Sequence, residues 1–134
     1  MTTPAQVSVR HARLWDLLGV ILVLGTVVTG LLPAKLMPKL PLNDKIEHII
    51  AYLVLALWFG GLLEPRRYWR LMLWLLALGG GIEIAQGLMH MGREADWFDF
   101  YADATGVAAG LALCQLGVRH WVRWTERLLG LAGG

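Results

Sequence analysis

Apolar residues fall in four long blocks, near residues 14–32, 46–63, 71–89 and 100–118, separated by short polar segments. A bilayer core about 30 Å thick is crossed by about 20 helical residues, at about 1.5 Å each, so each block predicts a transmembrane helix. All five prolines, Pro4, Pro33, Pro38, Pro41 and Pro65, lie outside the blocks, where a missing backbone donor costs no helical hydrogen bond. Residues 33–43 form the one long linker. The first block follows Arg10 and Arg13 as a secretory signal would, but it is long and no Ala-x-Ala site follows, so it is read as a retained span. The reading divides the chain into an N-terminal tail (1–13), a membrane domain of four helices (14–118) and a basic amphipathic segment (119–134).

The polar positions inside these blocks also keep helical period. Asp44, His48 and Tyr52 step by four along the start of the second span. Glu83, Gln86 and His90 step by three and four near the end of the third, with Arg93 just beyond, and His90 itself is read as a loop residue. Asp96, Asp99, Asp103, Gly106 and Gly110 step by three or four into the fourth. In an up-and-down bundle these three stripes meet at one end. Gly79, Gly80, Gly81 and the Gly106-x-x-x-Gly110 pair remove side chains and predict close helix approach, within the bundle or between copies in a homo-oligomer.

Composition and charge sharpen this picture. With 57% hydrophobic and 16% charged residues in 134, and a mean hydropathy of +0.55, the chain does not fit a soluble domain. Its net charge of +2 is too small and too dispersed to predict nucleic acid as a partner. A single cysteine, Cys114, provides neither an internal disulfide nor a thiolate cluster. Eight basic residues (Arg10, Arg13, Arg66, Arg67, Arg70, Arg119, Arg123, Arg127) fall on one side of the predicted bundle and four (Lys35, Lys39, Lys45, Arg93) on the other, which places both termini in the cytoplasm and the polar stripes outside. Trp15, Tyr68, Trp69, Trp121 and Trp124 are then expected at the inner interface, and Trp97, Phe98 and Tyr101 at the outer one. Trp121, Trp124, Leu128 and Leu131 share one face opposite Arg119, Arg123 and Arg127, as in a helix lying on the inner leaflet or in a plain continuation of the fourth span.

Ionisable groups within a span are costly and mark candidate sites. Asp44 with Glu47 forms a variant capping box, or part of the site. Lys45 snorkels to headgroups or pairs with Asp96 or Asp99, which otherwise form a solvated acidic entrance. His48 and Tyr52 bond between helices or take part in chemistry. Glu83 and Asp103 need a cation or a proton; Arg93 is the natural partner of Glu83, Lys45 is a second cation, and a shared proton or a metal ion are the other solutions. No His-Glu-x-x-His or comparable ligand spacing occurs, so no metal or cofactor is assigned. The candidate ligand-binding set is Lys45, His48, Tyr52, Glu83, Gln86, Arg93, Asp96, Asp99 and Asp103.

The ordered series Asp44-Lys45-x-x-His48-x-x-x-Tyr52, Glu83-x-x-Gln86 and Arg93-x-x-Asp96-x-x-Asp99-x-x-x-Asp103-x-x-Gly106 resembles the pattern of the VanZ-like membrane proteins over about residues 40–112. That family normally carries Asn where Asp103 stands here. The resemblance implies a small bundle of about four helices in a bacterial cytoplasmic membrane, similar to the namesake associated with teicoplanin resistance. It implies no established reaction. Three functions follow as expectations: an envelope factor whose outward polar cleft binds a lipid headgroup or lipoglycopeptide, a membrane-embedded hydrolase or transferase using His48 or Glu83 as base, and a structural subunit without a ligand. The enzymatic reading lacks a Ser or Cys nucleophile, because Ser8 lies in the tail and Cys114 toward the far end of the fourth span.

Overall fold

A computed structural model describes residues 9–131, so most of the N-terminal tail, with Pro4 and Ser8, lies outside the described residues. The described residues are helical, with no strand. Four long helices follow one another: α1 (Ala12–Leu31), α2 (Asp44–Leu62), α3 (Tyr68–Met89) and α4 (Trp97–Gln115), then a short α5 (Trp121–Leu128). Three helical segments, Ala12–Leu31, Asp44–Leu62 and Pro65–Met89, are long and apolar enough to cross a membrane. α4 is as long as α2 but more polar. Apolar side chains such as Leu17, Leu24 and Val28 on α1 and Leu73 and Trp74 on α3 point outward, a surface suited to lipid rather than water.

α2, α3 and α4 each begin two or three residues before the predicted apolar block, their first residues including the charged Asp44 and Lys45, Arg70, and Asp99 respectively. Asn43, not an Asp44–Glu47 box, caps α2: its side-chain oxygen accepts from the Lys45 amide at 2.9 Å, leaving Asp44 in the first turn. Asp96 caps α4 by accepting from the Phe98 amide at 2.8 Å.

α4 packs chiefly on α2, and glycine makes that contact possible. A Cβ on Gly106 would run into the Ile49 carbonyl oxygen and lie 2.9 Å from the Leu53 nitrogen. One on Gly110 would lie 2.6 Å from the Ala56 Cβ. The Gly106–Gly110 pair therefore packs inside the bundle. Gly79 brings α3 against Asp103 and Tyr52 in the same way. The expectation fails for the next two glycines: a Cβ on Gly80 would make ordinary contact with Phe100, and Gly81 faces open space. Tyr52, Leu55, Leu75, Val107 and Leu111 fill the centre.

At the end formed by the start of α1 and the end of α2, the rings of Trp15, Trp58 and Trp121 lie 4.8–5.7 Å apart. Trp15 and Tyr68, expected at a lipid interface, are buried instead; the Tyr68 hydroxyl donates to the Gly60 carbonyl at 2.7 Å. α5 does not continue α4: Gly117, at φ +117°, breaks the chain between them, and the Trp121 indole donates to the Leu57 carbonyl at 2.8 Å.

The buried carboxylate of Glu126 on α5 accepts from the Trp15 indole at 2.9 Å and from the backbone amides of His11 and Arg10 at 3.2 and 3.4 Å. Burial alone would raise its pKa, but these three donors outweigh it and hold Glu126 below its ordinary value. Such a group stabilises the fold above its unfolded pKa, about 4.3, and loses that contribution as pH falls through the depressed value. Acidification below about pH 4 is therefore expected to release α5 from α1. Tryptophan fluorescence of the detergent-solubilised chain would report it, and Glu126→Gln is expected to abolish that acid transition; an unchanged midpoint in the variant would contradict the assignment.

Candidate functional site

The opposite end of the bundle collects the polar stripes, because the starts of α2 and α4 meet the ends of α1 and α3 there. Lys45 sits at its centre. Its ammonium pairs with Asp96 at 2.6 Å and more closely with Asp99, while Asp44 lies 3.8 Å away. Asp99 is buried, so it is no solvated entrance; the ammonium compensates its charge. The Lys45 hydrogen bond and the Phe98 amide hold the Asp96 carboxyl below its ordinary range.

Below this pair lies a second one. His48 Nδ1 is 2.8 Å from Asp103 Oδ1, and its Nε2 is 3.7 Å from Asp99 Oδ2, so the imidazole sits between two aspartates of α4. Asp103 is 1% exposed. The four-residue step from Asp99 to Asp103 matches the turn of α2 that carries Lys45 and His48, which is why the two pairs stack. A Cβ on Gly79 would lie 2.6 Å from Asp103 Oδ2 and 3.3 Å from Tyr52 Oη, so the missing side chain leaves room for both groups.

Two expectations about α3 and the loop after it are corrected. Glu83 does not meet Arg93; its Oε2 accepts the Asp96 backbone amide at 3.0 Å, and its buried Oε1 has no hydrogen-bond partner among the described residues. Gln86 is not free for a ligand, because its amide donates at 2.6 Å to the Gly30 carbonyl, one of the acceptors left open at the end of α1. His90, read as a loop residue, closes α3 in a left-handed conformation at φ 50° with its side chain exposed.

Two cavities open beside the cluster, of about 210 and 680 Å³. The smaller is lined by Thr26 and Thr29 of α1, Ile82 of α3, and His48, Tyr52 and Asp103. The larger lies against Gln86, Asp96 and Asp99. Met37, Pro38 and Leu40 of the linker, with Asp44, Glu47 and Arg93, line both. Together they fall in the size class of small-ligand sites. Arg93 makes no ion pair among the described residues. Lys45, by contrast, is saturated. Among the described residues Arg93 is thus the cation without an ion pair that lines both cavities, together with Asp44 and Glu47, while Lys39 lines the larger one only.

Comparison with protein-family models, with curated proteins and with solved structures found no match for this chain. Among the described residues no Ser, Thr or Cys side chain bonds to His48: the hydroxyls of Thr26 and Thr29 donate to carbonyls of their own helix, and Cys114 packs against Gly60 toward the other end. The arrangement sets an imidazole between two aspartates beside a cleft that carries a guanidinium and two further carboxylates.

Proposed function

We propose that this chain is a VanZ-like protein of a bacterial cytoplasmic membrane, with four spans, both termini inside and a polar cleft open to the outside. The cleft holds a headgroup carrying both an anion and an amine, on an envelope lipid or a lipoglycopeptide such as teicoplanin, and so acts in envelope or glycopeptide resistance. α4 counts as the fourth span because its polarity faces inward: Asp99 and Asp103 are buried, while Trp97, Phe98, Tyr101, Leu113 and Leu116 face outward. The eight-to-four split of basic residues gives the orientation.

The observation that carries the reading is Arg93, without an ion pair and lining both cavities. A guanidinium there takes phosphate or carboxylate through two parallel hydrogen bonds, and Asp44 and Glu47 take the amine. Lys45, already paired with Asp96 and Asp99, and the buried Gln86, bonded to the Gly30 carbonyl, are left out of the ligand set. In a Gram-positive host, the wild-type chain is expected to lower teicoplanin susceptibility. Arg93→Ala, matched for membrane abundance, is expected to lose that effect, together with at least about tenfold in affinity for the purified antibiotic or for vesicles of amine-bearing phospholipid. The two binding assays separate the antibiotic from the lipid. Equal behaviour of both chains in every assay would overturn the reading.

A further inference from the structure

The cluster holds more acid than its own cations compensate. Lys45 compensates part of the outer level, where Asp96 and Asp99 both contact its ammonium. The inner level has Glu83 and Asp103, 4% and 1% exposed, with His48 as the nearest basic group. One ligand atom from each of these three residues lies within 4.8 Å of the other two. Glu83 Oε2 is occupied by the Asp96 amide, whereas Glu83 Oε1 is buried without a hydrogen-bond partner among the described residues. A buried carboxylate oxygen left bare is expensive, and a cation at this position would satisfy it.

We propose that His48, Glu83 and Asp103 form a binding site for one divalent cation of the zinc type. One imidazole nitrogen and two carboxylate oxygens are hard-to-borderline donors that suit such an ion, and three protein ligands leave a coordination position for water or a ligand group. Ligand atoms around a tetrahedral zinc ion lie about 3.4 Å apart, given bonds of about 2.0–2.1 Å. His48 Nδ1 and Asp103 Oδ1 lie 2.8 Å apart, and a Glu83 ligand atom lies within 4.8 Å of a ligand atom of each, so a modest rearrangement reaches that spacing. Both His48 and Asp103 line the smaller cavity, so the open position faces a space a ligand can enter. A second trio, Asp44, His48 and Asp99, shares the histidine, but there the Lys45 ammonium already compensates Asp99. The ligands come from three helices, so no local sequence motif announces them. This site stands apart from the headgroup reading, because Arg93 takes no part in it.

The full-length chain, purified in detergent and stripped by chelator, is titrated with Zn²⁺ by calorimetry. The expected result is one Zn²⁺ per chain and a raised unfolding temperature in its presence. Glu83→Gln and Asp103→Asn should each weaken binding by ~100-fold or more, since even the outer hydrogen-bond partners of metal ligands account for ~10–100-fold. Glu94→Gln, which removes a nearby charge outside the trio, should keep wild-type affinity. Helical content of the metal-free variants checks their folding. If they fail to fold, zinc-edge X-ray absorption of the loaded wild type decides, with one imidazole and otherwise oxygen neighbours expected. Absence of binding, affinity untouched by Glu83→Gln and Asp103→Asn, loss on Asp99→Asn alone, or a shell containing sulfur or several imidazoles would each overturn the proposal.

Discussion

Gly106→Leu is expected to abolish the folded bundle, whereas Gly81→Leu should leave it intact. At Gly106 the first side-chain atom would already strike the Ile49 carbonyl oxygen, with the Leu53 nitrogen at 2.9 Å. Both obstacles are backbone of α2, so no rotamer change relieves them and the helices must separate. Overpacking of a core typically costs ~1–3 kcal/mol through side-chain adjustment, and a backbone wedge lies at or beyond the top of that range. Separation would also pull Lys45 and His48 away from Asp99 and Asp103, leaving charges buried without partners. Gly81 has nothing within 4 Å of its would-be Cβ, and a leucine there gains helix propensity of up to about 1 kcal/mol. Size-exclusion profiles and thermal unfolding in detergent would separate the two variants. A monodisperse Gly106→Leu with a wild-type midpoint would show that the α2–α4 contact is looser than described.

The contrast between these glycines marks what sequence could and could not disclose. Spacing identified the Gly106–Gly110 pair as a packing surface because both residues share the stripe of Asp99 and Asp103, which had to face protein. The run Gly79-Gly80-Gly81 occupies three successive positions, about 100° apart around a helix, so they cannot all face one neighbour. The rotation of α3 about its own axis decides which does, and its very weak amphipathicity gave no sign of it.

The same limit governs the site. Helical period placed Lys45, His48, Asp96, Asp99 and Asp103 at one level, and the structure brings them together. Which charge meets which depended on the relative height of α2 and α4, set by where Asn43 and Asp96 cap those helices. Arg93 was a reasonable partner for Glu83 by charge, but a backbone amide, which has no sequence signature, took the carboxylate instead. Gln86 was read as a ligand group for the same reason: the Gly30 carbonyl that accepts its hydrogen bond is invisible in a residue list. Glu126 went unnoticed because it lies in a basic segment far from the stripes, although it is the one acidic residue of residues 119–134 and its burial ties α5 to α1.

Membrane orientation is the claim on which the rest of the account stands, because a polar cleft open to the cytoplasm could not meet an envelope ligand. The single cysteine, Cys114, is fully buried and can be replaced by Ala, leaving a background for reporter thiols. Lys39 lies exposed on the linker beside the cleft, and Arg66 lies exposed in the turn between α2 and α3, at the other end of the bundle. The most direct measurement is labelling of Lys39→Cys and Arg66→Cys, each in a Cys114→Ala chain, by a membrane-impermeant maleimide on intact bacterial cells. The account predicts that Lys39→Cys reacts in intact cells and that Arg66→Cys reacts only after the membrane is opened. Reaction of Arg66→Cys alone in intact cells, or of both positions from the same side, would contradict it.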